Sequence, residues 1–247
     1  EIEDEDGIKK YGKSKEHRPN PIVQMGMFMD GDGIPLAFSL FPGNANEQTS
    51  IKPLEEKILN EFDCQKFIYC SDAGLGSEKI RKYNHMGERA FVVTQSIKKL
   101  NAQDRQWALD TKGFKRLSDD KVVDLSEISK DDEAIYYKDA PYTPKDLSQR
   151  LIITYSPKYA KYQKTIREKQ VDRAKLMLEK GSIKKERRNP NDPARFISSL
   201  AVTDDGEKAN VHNFLNTDKI DEETKYDGMY AVSTDLLDDN VSEILGI

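Results

Sequence analysis

The chain has 247 residues, a formal net charge of −5, 34% charged and 36% hydrophobic residues, and a mean hydropathy of −0.77. That is enough for one large domain or two small ones, and no apolar run approaches the roughly 20 residues a membrane span needs. The acidic start EIEDEDGIKK is neither a signal nor a transit peptide. Cys64 and Cys70 with His17, His85 and His212 spell neither a disulfide scaffold nor a zinc site, so a soluble, cytoplasmic protein is expected.

Residues 1–20 are polar and read as a loop or hairpin arm. PIVQMGMFMD (21–30) and IPLAFSLFP (34–42) read as strands joined by the turn Asp30-Gly31-Asp32-Gly33, a β-hairpin. The acidic pair in that turn lacks the spacing and terminal Glu of a calcium loop, so it is turn chemistry. After the loop Pro42-Gly43-Asn44-Ala45-Asn46, a helix begins near Thr49, with Leu54, Ile58 and Leu59 on its buried face. KFIYCS (66–71) is a continuous apolar run, expected of a strand covered on both faces. Asp72 ends it, and Ser77 is placed to cap a helix reaching about Met86. RAFVVT (89–94) is a further strand. The first third therefore reads β-β-α-β-α-β, an α/β layer protein.

Residues 95–150 are polar, with Trp107 and strand-like fragments at 121–124 and 134–138. LIITYS (151–156) is a clear strand, and residues 157–180 form a long basic helix with Tyr162, Ile166, Ala174 and Leu178 in helical register. Short strands follow at 196–201, 211–215 and 229–234. The break near residue 95 marks an insertion, 95–227, with 228–247 returning to the first layer. Charge is distributed unevenly. Residues 158–195 hold 13 Lys or Arg against 5 Asp or Glu, or +8, which leaves −13 for the rest of the chain. Such a window is either a polyanion-binding footprint or a solvated, salt-bridged helix face.

Asp72, at a strand's carboxyl end before small residues, sits where open α/β sheets bind ligands, and a carboxylate there suits Mg²⁺. The competing reading is an ordinary turn aspartate. Gly74-x-Gly76-Ser77 resembles half of a phosphate-cradling turn, but the third glycine of that fingerprint falls on Lys79. No G-x-S-x-G and no local Cys–His pairing supports a nucleophilic hydrolase.

The runs YGKSKEHRPNP (11–21), VQMGMFMDGDGIPLAFSLFPGNANEQTS (23–50) and FIYCSDAGLGS (67–77) resemble DDE-class bacterial insertion-sequence transposases. The similarity resumes in YSPKYAKYQKTIREKQVDRA (155–174) and YDGMYAVSTD (226–235), in the same order and with similar gaps. The resemblance implies a ribonuclease H-like mixed sheet with helices, interrupted by a β-rich α+β insertion. It implies phosphoryl transfer on DNA, using Mg²⁺ or Mn²⁺, during transposition, and self-association of the intact protein. Asp72 falls on the family's second catalytic and metal-binding Asp. Many relatives carry Arg where this chain has Ala73. The family's first Asp and its strand belong before Glu1, and its Glu belongs to a helix after 229–234. Glu243 lacks that Glu's surroundings. The chain is thus expected to be the middle of a longer enzyme, inert by itself. The place of the missing central strand is expected to be filled by 229–234, by shifted pairing or by a second copy. Under this resemblance Lys158, Lys161, Lys164, Arg167, Lys169, Arg173, Lys175, Lys184, Lys185, Arg187 and Arg188 become candidate phosphate contacts. The alternative is a transposase-derived DNA- or partner-binding module without catalysis.

Overall fold

A computed structural model describes residues 4–12, 20–49, 51–62, 67–181, 192–202 and 210–247. The fold is mixed α/β. In chain order it has β1 (Val23–Met29), β2 (Pro35–Pro42), α1 (Ile51–Glu61), β3 (Ile68–Ser71), α2 (Glu78–Asn84), β4 (Ala90–Thr94), α3 (Ala102–Leu109), β5 (Phe114–Arg116) and β6 (Val122–Val123). There follow β7 (Tyr136–Tyr142), β8 (Gln149–Tyr155), α4 (Pro157–Glu179), β9 (Ile197–Val202), β10 (Asn210–Leu215), α5 (Thr217–Thr224), β11 (Met229–Thr234) and α6 (Val241–Gly246). Seven strands form one mixed sheet in the order β3-β4-β11-β8-β7-β5-β6, while β1–β2 and β9–β10 are separate two-stranded sheets. The chain divides into two compact units, one of residues 1–99, 139–152 and 231–247, the other of residues 100–138 and 153–230. Residues 139–152, inside the stretch read as an insertion, thus belong to the first unit.

In the first unit, β1 and β2 pair antiparallel with a register shift at Phe28/Met29. Asp30 makes the turn: its Oδ1 accepts from the Asp32 amide (3.0 Å) and the Ile34 amide (2.8 Å), so the acidic pair is turn chemistry as read. Strict alternation splits the hairpin into two faces. Ala37 is buried on one, while Met25, Met27, Met29, Phe38 and Leu40 stand exposed on the other. The helix α1 buries Ile51, Leu54 and, against expectation, Glu55, with Ile58 and Leu59 only half-buried. The segment β3-α2-β4 brings two parallel strands side by side, Cys70 opposite Val92. Tyr69, Ile80, Phe91 and Val93 join Ile51 and Leu147 in the core. The alternating and apolar residues of β4 suit it to a place between β3 and β11, and Phe91 and Val93 are wholly buried.

One expectation fails here, and one of the three ways of filling the missing strand's place is excluded. β3 is not covered on both faces: Tyr69 is buried but Ile68 is 41% exposed and Cys70 is exposed. The reason is its position at the end of the sheet, where cover and partners are fewer. Nor does β11 fill a gap between the hairpin and β3. It pairs antiparallel with β4, Ser233 opposite Val93, on the side away from β3. Among the described residues no strand pairs with the outer edge of β3.

In the second unit, Ser156 caps α4 by accepting from the Tyr159 amide, and Pro157 takes the first helical turn, where its missing N–H costs nothing. Ala174 packs with Phe196 and Ile197, and Val171, Met177, Leu178, Leu215 and Ile220 close round them. Of the four residues read as the apolar register of α4, Ala174 is in this core and Leu178 packs against it, while Tyr162 and Ile166 face solvent. Gly228 is required where the chain leaves α5. Its φ is +76°, and a Cβ there would lie 2.7 Å from the Ser156 oxygen and 2.8 Å from the Ala160 Cβ. The helices α3 and α5 and the strand β5 were not legible in the sequence. No helix among the described residues is long and apolar enough to cross a membrane.

Candidate functional site

Asp72 is exposed at the carboxyl end of β3, where the sequence places it. The turn after it folds back on its side chain. Asp72 Oδ1 accepts from the Gly74 amide (2.9 Å) and the Leu75 amide (3.1 Å). The Leu75 amide also reaches the Asp72 main-chain oxygen at 3.2 Å. Gly76 lies so close to β4 that a Cβ would meet the Val93 Cβ at 3.2 Å, which explains a small residue at that position.

Three side chains clamp this turn by its carbonyl oxygens. Gln48 Nε2 donates to Gly74 O (3.0 Å), Tyr69 Oη donates to Leu75 O (3.2 Å), and Arg81 Nε donates to Gly76 O (2.9 Å). Burial pushes the Tyr69 hydroxyl up to about 12, so it stays a donor. Arg81 reaches further, donating from Nη1 to Gln149 Oε1 and from Nη2 to Gln95 Oε1, both at 2.8 Å. Ser233 Oγ donates to the same Gln149 oxygen at 2.6 Å. The three oxygens that accept from Arg81 are all neutral, and desolvation lowers its pKa. Ser77 occupies the position before α2 but its side chain makes no capping bond, a correction to the sequence reading. Gln48 and Arg81 of the clamp, and Gln149 behind Arg81, were missed by sequence reasoning, because each comes from a different stretch of chain and none carries a local motif.

What this arrangement can do is present one rigidly held carboxylate oxygen pair at a strand end. Half of it is committed to the turn's own amides. A two-ion phosphoryl-transfer site needs several converging carboxylates. Among the described residues no group of three His, Cys, Asp or Glu is placed to hold a metal ion. Those residues therefore do not by themselves build the Mg²⁺ or Mn²⁺ cage that the resemblance implies.

The basic helix sorts its candidates into two kinds. Lys158, Lys161, Lys164, Lys169, Arg173 and Lys175 are exposed. Lys161 pairs with Asp131 (3.5 Å), Lys164 with Glu168 (3.8 Å) and Lys175 with Asp172 (3.2 Å). Such exposed pairs hold their lysines only weakly. Helical spacing puts Lys158, Lys161, Lys169 and Arg173 on one outward face. Tyr159 and Tyr162 lie near it, their rings stacked with centroids 6.2 Å apart, Tyr162 being 60% exposed. Arg167 is the exception and a correction. It is 8% exposed and grips both oxygens of Asp227, Nη1 on Oδ1 and Nη2 on Oδ2. Its position on the inward face of α4 makes it a structural cation, not a phosphate contact. Lys184, Lys185, Arg187 and Arg188 lie outside the described residues, as does His17.

No family model matches the chain, and no curated protein or solved structure matches it either.

Proposed function

We propose that the chain is the DNA-handling middle of a DDE-class transposase, with a ribonuclease H-like core in the first unit and a DNA-contacting insertion in the second. The observation that carries this reading is Asp72. An exposed carboxylate ends a strand parallel to its neighbour, on a turn clamped from three sides, at the place in the motif order where the resemblance expects a catalytic Asp. The outward face of α4 agrees with it: lysines and an arginine for phosphates, with two stacked tyrosines beside them that offer flat surfaces to bases. In this reading Asp72 is one ligand of a set completed elsewhere in a longer cytoplasmic protein that self-associates on DNA. The 247-residue chain binds DNA without cleaving it.

A second reading, a binding module without catalysis, is favoured by the commitment of Asp72 Oδ1 to two backbone amides, which gives that side chain a structural task. The first reading requires DNA binding, and so does the second where the module's ligand is DNA rather than a protein partner, so that is the test. Fluorescence anisotropy with a labelled duplex compares the chain with its K158E/K169E/R173E variant over a salt series. The variant is expected to bind more weakly, and its log–log salt slope to be shallower by about 0.9 for each phosphate that it no longer neutralises. An unchanged affinity and slope would remove α4 from the proposal. Strand transfer by the wild-type chain with Mg²⁺ would overturn its inertness.

A further inference from the structure

Beneath the first unit's helices lies a carboxyl group that neither the fold nor the proposed site uses. Glu55 of α1 is 1% exposed and Asn84 of α2 is fully buried. Asn84 Nδ2 donates to Glu55 Oε1 at 2.9 Å and to the Ile80 carbonyl at 3.2 Å. Both of these partners are acceptors, so the amide cannot be turned round without setting oxygen against oxygen. With that orientation fixed, two buried acceptors are left with no donor: Glu55 Oε2 and Asn84 Oδ1. They belong to two groups that already share a hydrogen bond. A buried acceptor without a donor is costly, and an ionised carboxylate more so. One proton on Glu55 Oε2 satisfies both.

We propose that Glu55 and Asn84 form a cyclic acid–amide pair, the Glu55 carboxyl protonated and donating from Oε2 to Asn84 Oδ1, which latches α1 to α2 and opens when the acid ionises. The one bond that breaks is Glu55 Oε2–H: its electron pair stays on the carboxylate, the proton leaves to solvent and the second hydrogen bond is lost. The surroundings agree. Burial raises the Glu55 pKa to about 7, well above its ordinary 4.5, against the lowering effects of the Asn84 hydrogen bond and of the charges of Arg89 and Lys52. The charge of Glu56 on the same helix raises it further, and Glu55 in turn raises the Tyr69 hydroxyl on β3. Those two cations are themselves engaged. Lys52 Nζ lies 4.6 Å from the Tyr83 ring centroid and the Arg89 guanidinium 4.3 Å from it, and Tyr83 Oη reaches Glu56 at 3.4 Å. Both act on the Glu55 carboxyl through space, so the proton remains the group's means of neutralisation.

A carboxyl whose pKa is raised on folding contributes stability that is complete below about 4.5 and is lost as pH rises to about 7. Within that window the folding equilibrium falls by up to about tenfold per pH unit on account of this group. The test uses the full chain. Denaturation by urea at a series of pH values is compared for the wild type and Glu55→Gln, whose amide donates to Asn84 Oδ1 as the protonated acid does. The variant is expected to lose the wild-type decline between about pH 5 and 7. An E55Q chain that keeps that decline, or that does not fold, would overturn the latch. Independently of any variant, the carbon-13 shift of the Glu55 carboxyl, assigned in the wild type, is expected to titrate near pH 7. A midpoint at the ordinary value of 4.5 would equally overturn it.

Discussion

Arg81 and Arg167 are both buried, one in each unit, and their surroundings treat the charge in opposite ways. Arg167 meets a carboxylate face to face, two parallel hydrogen bonds to Asp227 that match its fork. Arg81 meets only uncharged oxygens, those of Gly76, Gln149 and Gln95. Guanidinium cannot shed its proton in either place. The first arrangement neutralises the charge and fastens α4 to the chain beside Gly228. The second leaves the charge spread over neutral dipoles and gains geometry from it, since one planar group fixes the turn after Asp72 to two glutamines remote in sequence. A buried arginine is thus a stability element or a positioning element according to what accepts its hydrogens.

The largest effect expected from this contrast belongs to Asp227. Replacing it with Ala strands Arg167 in a site 8% exposed, and breaking such a pair costs about 3–5 kcal/mol. Urea denaturation of D227A measures it. The double variant R167M/D227L, which removes both charges and keeps apolar bulk, is expected to recover most of that loss. A double variant as unstable as D227A would mean that geometry, not the uncompensated charge, dominates there.

A smaller effect is expected at Arg81. Arg81→Met leaves Gly76 O and Gln95 Oε1 without their donors, at a cost of about 1–3 kcal/mol. Its distinguishing signature is local. The Gly74 and Leu75 amides, which bond to Asp72 Oδ1, should exchange hydrogen faster in the variant, because the turn is then held by two clamps instead of three. Unchanged exchange at those amides would show that Gln48 and Tyr69 suffice and that Arg81 does not position Asp72.

These same residues mark how far sequence reading reaches. The hairpin β1–β2, the strands β4 and β8 and the helix α4 are legible because period and turn chemistry are local properties. Asp72 is legible for the same reason, as a carboxylate closing an apolar run. Burial of a charged group is not, because it depends on a partner far along the chain: Asp227 stands 60 residues from Arg167, and Asn84 stands 29 from Glu55. Arg167 therefore read as one more exposed cation, and Glu55 drew no reading at all. The exposure of β3 was hidden too, since an apolar run looks alike whether its strand is central or at a sheet's end. The helix α3 escaped notice because it is short and buries only Ala108, so it carries hardly any apolar period.

Lys138 offers a third answer to the problem the two arginines pose, and its effect is confined to alkaline pH. Its ammonium donates to the carbonyls of Trp107 and Asp110 at the end of α3, each at 2.5 Å, and lies over the rings of Trp107 and Phe114. The Trp107 carbonyl also accepts from the Asp110 amide at 3.2 Å, and a cation is favourable at such a helix end. Desolvation nevertheless lowers its pKa from 10.5 to about 8, opposed only by the charge of Asp110. Unlike arginine, lysine can respond by releasing the proton. A group whose pKa falls on folding binds fewer protons in the native state across that interval. Stability should therefore rise with pH between about 8 and 10.5, by at most about 1.4 kcal/mol per pH unit. Denaturation profiles of the wild type and Lys138→Met over this range measure it: the wild-type profile should climb relative to the variant's. Parallel profiles would mean that the two carbonyls and two rings solvate the ammonium as well as water does, and Lys138 would then belong with Arg81, a buried cation content with neutral partners.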